Sequence, residues 1–133
     1  MVKSKQGFTL IELMTVVAII GILAGIVLVS FPAAQDRAKD GRVMNAMDQL
    51  RTKMEICKGN NGGDYQDVTT CASSLETEIN NNAAANLTDF NSTSAYCVDV
   101  QLNSGNYWCI DSSLHSLESS DSNCTAAGDT CSE

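Results

Sequence analysis

The chain has 133 residues, which is the length of one small domain. It carries 8 Lys and Arg against 16 Asp and Glu, so its formal net charge is −8. A chain with this negative charge is not expected to attract nucleic acid or anionic lipid, and we therefore expect no nucleic-acid partner. The apolar residues are concentrated, because residues 13–34 carry no charge whereas those after residue 58 are mostly small and polar.

The first predicted element is this apolar run, which follows a short start containing Lys3 and Lys5. About 20 uncharged residues are enough to cross a bilayer as a helix, and the preceding lysines favour a cytoplasmic N-terminus. A secretory signal peptide has a shorter apolar region and a small-residue cleavage site, so it fits poorly. A plain membrane anchor leaves Glu12 unexplained, because a carboxylate at membrane depth is costly and usually functional.

The stretch KQGFTLIEL, residues 5–13, resembles the processing site of type IV pilins and type II secretion pseudopilins. The matching features are a short basic leader that ends at Gly7, Phe8 directly after it, Glu12, and Gly21 inside the apolar helix. The resemblance implies that a prepilin peptidase cleaves between Gly7 and Phe8 and methylates the new amine.

Glu12 and the new amine of Phe8 would form the assembly site. Glu12 lies one helical turn after Phe8, so its carboxylate can reach the amine of its own chain or of a neighbour. A buried ion pair of this kind is a poor source of stability but a good device for setting register. The resemblance implies pairing with an adjacent subunit during assembly.

The resemblance also implies the organisation of the chain and its partners. The expected segments are a leader at 1–7, a long helix at 8–57 with a membrane or filament core at 8–31 and an amphipathic half at 32–57, and a disulfide-stapled head at 58–133. The partners would be a homopolymer of identical subunits, the prepilin peptidase and the inner-membrane assembly machinery. The prepilin would lie in the inner membrane, and the mature subunit in an extracellular filament on the cell surface.

Three functions are compatible with these features of the sequence. A major type IV pilin is favoured, because three possible disulfides and a polar head suit an exposed, durable fibre. The alternatives are a major pseudopilin of a type II secretion system, which would lie in the periplasm, and a minor pilin that acts as an adhesion or DNA-uptake module. An enzyme is not predicted, because the chain has a single histidine and no catalytic constellation.

Three residues predict a flexible section in the helix. Pro32 is the only proline, and it removes one helix hydrogen bond and crowds the carbonyl four residues earlier. Gly21 and Gly25 weaken the backbone before it. We therefore expect a bend or a locally melted turn between Gly21 and Pro32.

The amphipathic half carries an apolar stripe at helical spacing, which predicts packing of the helix on its own head. Glycines at 59, 62 and 63 then end the helix. The stripe consists of Val43, Met47, Leu50, Met54 and Cys57.

The head is predicted to contain a short helix and a hairpin. Ser73 and Glu76 match a capping box for a helix over 74–80, and residues 80–94 are predicted to form a loop. Residues 95–102 and 107–111 are strand-like, and Gly105 between them suits a left-handed turn position. The predicted fold class is α+β, with the long helix packed on a small antiparallel sheet.

Six cysteines in a small polar head predict disulfides and an oxidising compartment. Sequential pairing is our hypothesis: Cys57–Cys71, Cys97–Cys109 and Cys124–Cys131. Zinc is disfavoured because no C-x-x-C pair exists and His115 has no spaced partner.

Aspartates scattered through the head raise a calcium hypothesis, which the resemblance to major pseudopilins also allows. Their spacing matches no EF-hand loop, and such residues usually serve solubility, so we expect no metal and no cofactor. The residues concerned are Asp64, Asp67, Asp89, Asp99, Asp111, Asp121 and Asp129.

Overall fold

Two helices and four short strands follow one another along the chain. The computed structural model describes residues 7–66, 68–126 and 128–132, so Lys3, Lys5 and the rest of residues 1–6 lie outside the described part, as does Asp67. The elements in chain order are α1 (Leu10–Asn60), α2 (Val68–Asn82), β1 (Thr88–Asn91), β2 (Tyr96–Gln101), β3 (Tyr107–Asp111) and β4 (Ser116–Ser119). This order confirms the predicted α+β class.

The chain forms two compact units, of which the first ends at Gln35 and the second begins at Asp36. In the first unit every residue from Gly7 to Gln35 is exposed. The helix begins at Leu10 and ends at Asn60, whereas the sequence predicted 8–57.

The helix is continuous from Gly21 through Pro32, so the melted turn predicted there is absent from this structure. The physical reason is that a proline removes only one hydrogen bond, and the bonds on either side maintain the helix. Melting of this section within a filament remains a prediction.

In the second unit the later part of α1 packs against α2 and the sheet. The predicted stripe is buried: Val43, Met47, Leu50 and Met54 are each at most 1% exposed, while Cys57 is partly buried. Their partners in the same cluster include Ile79 of α2 and three residues of β2, namely Tyr96, Val98 and Val100. The Met-rich stripe is therefore the core contact of the helix with its own head.

The sheet has four antiparallel strands in the order β1-β2-β3-β4. Its central pair, β2 and β3, corresponds to the predicted hairpin, and Gly105 in the turn has φ +100°. The edge strands β1 and β4 were not predicted, and β1 lies inside the predicted loop. Each of these strands has only four residues of mixed polarity, so its own sequence shows no clear strand periodicity. Pairing with the central strands determines that it forms a strand.

The helix predicted over 74–80 is part of the longer element α2. Its backbone departs from helical geometry at Ala72, where φ is −151° and ψ is 45°, so two helical pieces meet there. The departure lies directly before Ser73, the residue predicted as the cap of the second piece.

The structure contains three disulfides, and their connectivity corrects two of the three predicted pairs. Cys57 pairs with Cys71 as predicted, but Cys97 pairs with Cys124 and Cys109 with Cys131.

The sheet register explains the difference. Cys97 lies opposite Asp111 and Cys109 opposite Asp99, so the two cysteines are diagonal neighbours on one face. Diagonal positions are about 7–8 Å apart, beyond the usual Cα–Cα span of a disulfide. The C-terminal tail meets that face, and the Cα–Cα distances to Cys124 and Cys131 are 5.4 Å and 5.7 Å.

Candidate functional site

The start of α1 is a capping box built from Thr9 and Glu12. The Thr9 backbone N–H and its hydroxyl each donate to Glu12 Oε2 at 2.8 Å, and the Glu12 N–H donates to Thr9 Oγ1 at 3.3 Å. In this reciprocal arrangement the cap and the third helical residue satisfy donors that a helix start leaves without partners. The carboxylate therefore has a structural role within its own chain.

Sequence reasoning missed this role, although the signal is present. TLIE, residues 9–12, has the Thr-x-x-Glu spacing of a capping box, and an apolar run follows it.

The structure does not require a glycine at position 7. Within the described residues, a Cβ built on Gly7 would meet nothing within 4 Å, and Phe8 is 94% exposed. The bond between them therefore lies in open backbone directly before the capped helix. Gly21 and Gly25 are equally unconstrained by neighbours.

The first part of α1 presents a continuous apolar surface. By length and composition α1 is able to cross a membrane, and Glu12 is the only charged residue from Gly7 to Gln35. Monomeric soluble proteins rarely expose so large an apolar patch, so this surface fits lipid or other helices. We call it the apolar surface; its large side chains, all more than half exposed, are Leu10, Ile11, Leu13, Met14, Val16, Val17, Ile19, Ile20, Ile22, Leu23, Ile26, Val27, Leu28, Val29 and Phe31.

Two of the aspartates considered for calcium are buried and hold the C-terminal tail. Asp99 accepts from the N–H groups of Asn123 and Cys124 at 3.0 and 3.1 Å and from the Ser122 hydroxyl. Asp111 accepts from the Cys131 N–H at 2.8 Å. Their carboxylates are thus acceptors for backbone donors of the tail.

Asp111 also binds the turn that follows β3. It accepts from the N–H groups of Ser113 and His115, and its Oδ2 lies 2.7 Å from His115 Nδ1. Burial alone raises the pKa of this carboxyl, but hydrogen bonds from the His115 ring and from three backbone N–H groups hold that pKa below its ordinary value. Asp111 is therefore a charged acceptor at neutral pH.

A repeated pattern in the sequence marks these carboxylates. Each is the third residue of a Cys-Val/Ile-Asp triplet, at residues 97–99 and 109–111. Residues two apart on a strand share a face, so each aspartate faces the same side as its cysteine. Each of the two strands is therefore joined to the C-terminal tail twice, by the disulfide of its cysteine and by the hydrogen bonds that its aspartate accepts.

A third buried carboxylate, Asp40, joins α1 to the hairpin turn. It accepts from the Asn103 N–H at 2.7 Å, the Asn103 side-chain amide at 2.8 Å and the Ser104 N–H at 3.0 Å.

The sulfur atoms of Cys97, Cys109 and Cys124 lie within 4.8 Å of one another. All three belong to disulfides, so they are not thiolates, and two adjacent bridges account for the cluster.

Comparison with known proteins finds similarity over part of the chain. Residues 2–28 match the family described as "Prokaryotic N-terminal methylation motif". The Type IV major fimbrial protein FimA of Dichelobacter nodosus is 51% identical over 53 residues, which is 40% of this chain and 34% of that protein. A fimbrial protein of Moraxella nonliquefaciens is 46% identical over 61 residues, 44% of this chain and 38% of that protein.

A protein of Dichelobacter nodosus described as a probable minor fimbrial protein is 47% identical over 55 residues, 41% of this chain and 35% of that protein. The chain thus spans only about a third of the length of these relatives. No solved structure matches the chain. Part of the chain is therefore similar to type IV fimbrial proteins, and residues 2–28 match the N-terminal methylation motif.

Proposed function

We propose that the chain is a structural subunit that polymerises into a type IV pilus filament after cleavage between Gly7 and Phe8. The observation that carries this proposal is the apolar surface, which in the first unit is exposed along its whole length. Fully burying an apolar side chain stabilises by about 1.5–3 kcal/mol relative to water. Many such side chains would make the subunit insoluble unless lipid or other subunits cover them.

Moving the helix from lipid into a filament changes this burial little, because lipid tails are as apolar as leucine. A polar interaction is therefore needed to favour the filament, and Glu12 supplies one. In lipid its carboxylate is costly, whereas beside the ammonium group of another subunit it becomes half of an ion pair. The proposed pairing thus favours assembly and sets the register between subunits.

The capping box is compatible with this second role. Both hydrogen bonds from Thr9 go to Glu12 Oε2, and Oε1 has no partner among the described residues. One oxygen can hold the start of its own helix while the other accepts from the amine of a neighbour. Cleavage creates that amine on Phe8, because before cleavage the same nitrogen is an uncharged amide.

The remaining roles follow from this cycle. The processing enzyme would be a prepilin peptidase, which Gly7 would admit because it has no side chain. The prepilin would lie in the inner membrane until the assembly machinery extracts it into a filament on the cell surface. A pseudopilin would use the same cycle in the periplasm.

A minor pilin is the second candidate, since one relative is described as a probable minor fimbrial protein. A major subunit would form nearly all of the mass of the fibre, whereas a minor one would be present at a few copies. Quantitative mass spectrometry of purified filaments distinguishes the two.

The test of the proposal is the mature N-terminus together with the filament. Mass spectrometry of filaments sheared from cells should find a methylated Phe8 as the first residue. A mature chain that starts near residue 35, released in soluble form, would overturn the proposal.

A further inference from the structure

The charges of the chain are separated along the sequence. All 8 Lys and Arg lie at or before residue 58, whereas residues 59–133 contain 11 of the 16 Asp and Glu. The part of the chain after α1 therefore carries carboxylates with no Lys or Arg to balance them. Every copy of the subunit presents this same imbalance.

Some of the basic residues lie on one side of α1 in the second unit. At about 100° per residue, Lys39, Arg42 and Lys53 fall within an arc of roughly 60° at the edge of the buried face, an arc that also contains the buried Ala46. All three are exposed, and none of the acidic residues between 36 and 58 falls in that arc. We call these three residues the basic flank.

The basic flank makes no ion pair with any residue that the structure describes. Among residues 7–66, 68–126 and 128–132, the salt bridge found is that of His115 with Asp111, and no Lys or Arg lies within 4.0 Å of a carboxylate. Three cations of the helix and an acidic C-terminal region thus remain available to another molecule.

We infer that the basic flank of one subunit binds the acidic surface of residues 59–133 of a second copy of this chain. The inference rests on the proposed polymerisation, which brings identical copies together. The complementary charges are the argument for a second copy, because each molecule carries both halves of the contact. Anionic lipid would also attract cations, but the net charge of −8 opposes binding to it.

The acceptors would be exposed carboxylates that do not hold the C-terminal tail of their own chain, although Glu118 accepts a hydrogen bond from Asn106 and Asp121 one from Ser120. Asp99 and Asp111 are excluded because each is buried and accepts hydrogen bonds from the tail. The exposed carboxylates among the described residues after position 58 are Asp64, Glu78, Glu118 and Asp121.

Zero-length cross-linking tests the inference directly. Filaments assembled from a mixture of unlabelled and ¹⁵N-labelled full-length subunits are treated with a carbodiimide, which joins amines only to carboxylates that they touch. The expected product links Lys39 or Lys53 of one subunit to a carboxylate of residues 59–133 of another, with one partner labelled. Lys58, which lies over the Tyr65 ring at 4.3 Å, is the reference for an amine outside the flank. Intact filaments without an intersubunit link from Lys39 or Lys53 would overturn the inference.

A matched pair of variants supplies the second measurement. Arg42→Glu reverses a charge in the flank, while Arg37→Glu makes the same change about 140° away around the same helix. Both side chains are exposed. Arg42→Glu replaces one attraction between exposed charges by one repulsion, so its filament yield should be about fivefold lower than that of Arg37→Glu. Raising the salt concentration should reduce this difference in yield, because salt screens exposed charges.

Equal yields from the two variants at low salt would contradict the inference. Failure of the unmodified protein to form filaments would instead refute polymerisation itself, and this inference with it. The two failures are therefore distinguishable.

Discussion

Two substitutions separate the observed role of Glu12 in capping from its proposed role in charge pairing. Glu12→Gln keeps the capping box, because glutamine serves at that position as well as glutamate, but removes the negative charge. Thr9→Val removes the hydroxyl that donates to Glu12 Oε2 and accepts from the Glu12 N–H, but keeps the charge. The change in side-chain volume is small in both variants.

The two roles predict losses of different magnitude. Loss of an N-cap hydroxyl costs about 0.5–2 kcal/mol, typically about 1 kcal/mol, or roughly a fivefold effect. Removing one partner of a buried ion pair leaves the other charge unpaired, at a cost of about 3–5 kcal/mol. If Glu12 pairs with the Phe8 amine of a neighbour, Glu12→Gln should lower assembly roughly a hundredfold or more, and Thr9→Val only about fivefold.

The assay compares filaments sheared from cells with the subunit that remains in the membrane, both measured by immunoblot. The N-terminal mass of the membrane pool should show normal cleavage in both variants, which separates assembly from processing. Normal filaments from Glu12→Gln, with a severe loss from Thr9→Val, would show that Glu12 acts through the cap and would refute the pairing.

Four further expectations follow from the fold. Gly7→Val should leave the described fold unchanged, since no neighbour lies near that position, but should block cleavage, and the membrane pool should keep its leader by mass spectrometry. Replacing Cys57 and Cys71 together by serine should lower the free energy of unfolding by about 2–4 kcal/mol in denaturant titration, and an unchanged midpoint would argue against this bridge. Because the pKa of Asp111 is lowered in the folded state, its contribution to stability is complete above the unfolded value of about 4 and is lost as pH falls through the folded pKa. Stability should therefore fall more steeply in acid for the natural chain than for Asp111→Asn, and parallel curves would contradict this reasoning. A chelator should leave the thermal unfolding midpoint unchanged, and a fall would revive the calcium hypothesis.

Features with a local sequence signal were predicted from the sequence alone. The stretch around Gly7 and Phe8, which lies within the matched N-terminal methylation motif, and the uncharged run after Glu12 are contiguous patterns that need no tertiary information. The buried stripe from Val43 to Met54 follows from helical periodicity, since residues three and four apart share a face. The central hairpin was also predicted from the sequence, because two strand-like segments flank a turn in which Gly105 takes a positive φ.

The tertiary structure decided what depends on distant parts of the chain. Cys97 and Cys109 bond to the C-terminal tail because the sheet register places them diagonally, and register is not encoded in cysteine spacing. The contacts of Asp40, Asp99 and Asp111 with distant segments involve backbone donors 20 to 64 residues away, so the sequence around each aspartate does not identify those partners. A local pattern specifies which face of an element is buried, but a long-range partner is specified only when folding brings two segments together, and their contacts must offset the entropy of closing the loop between them.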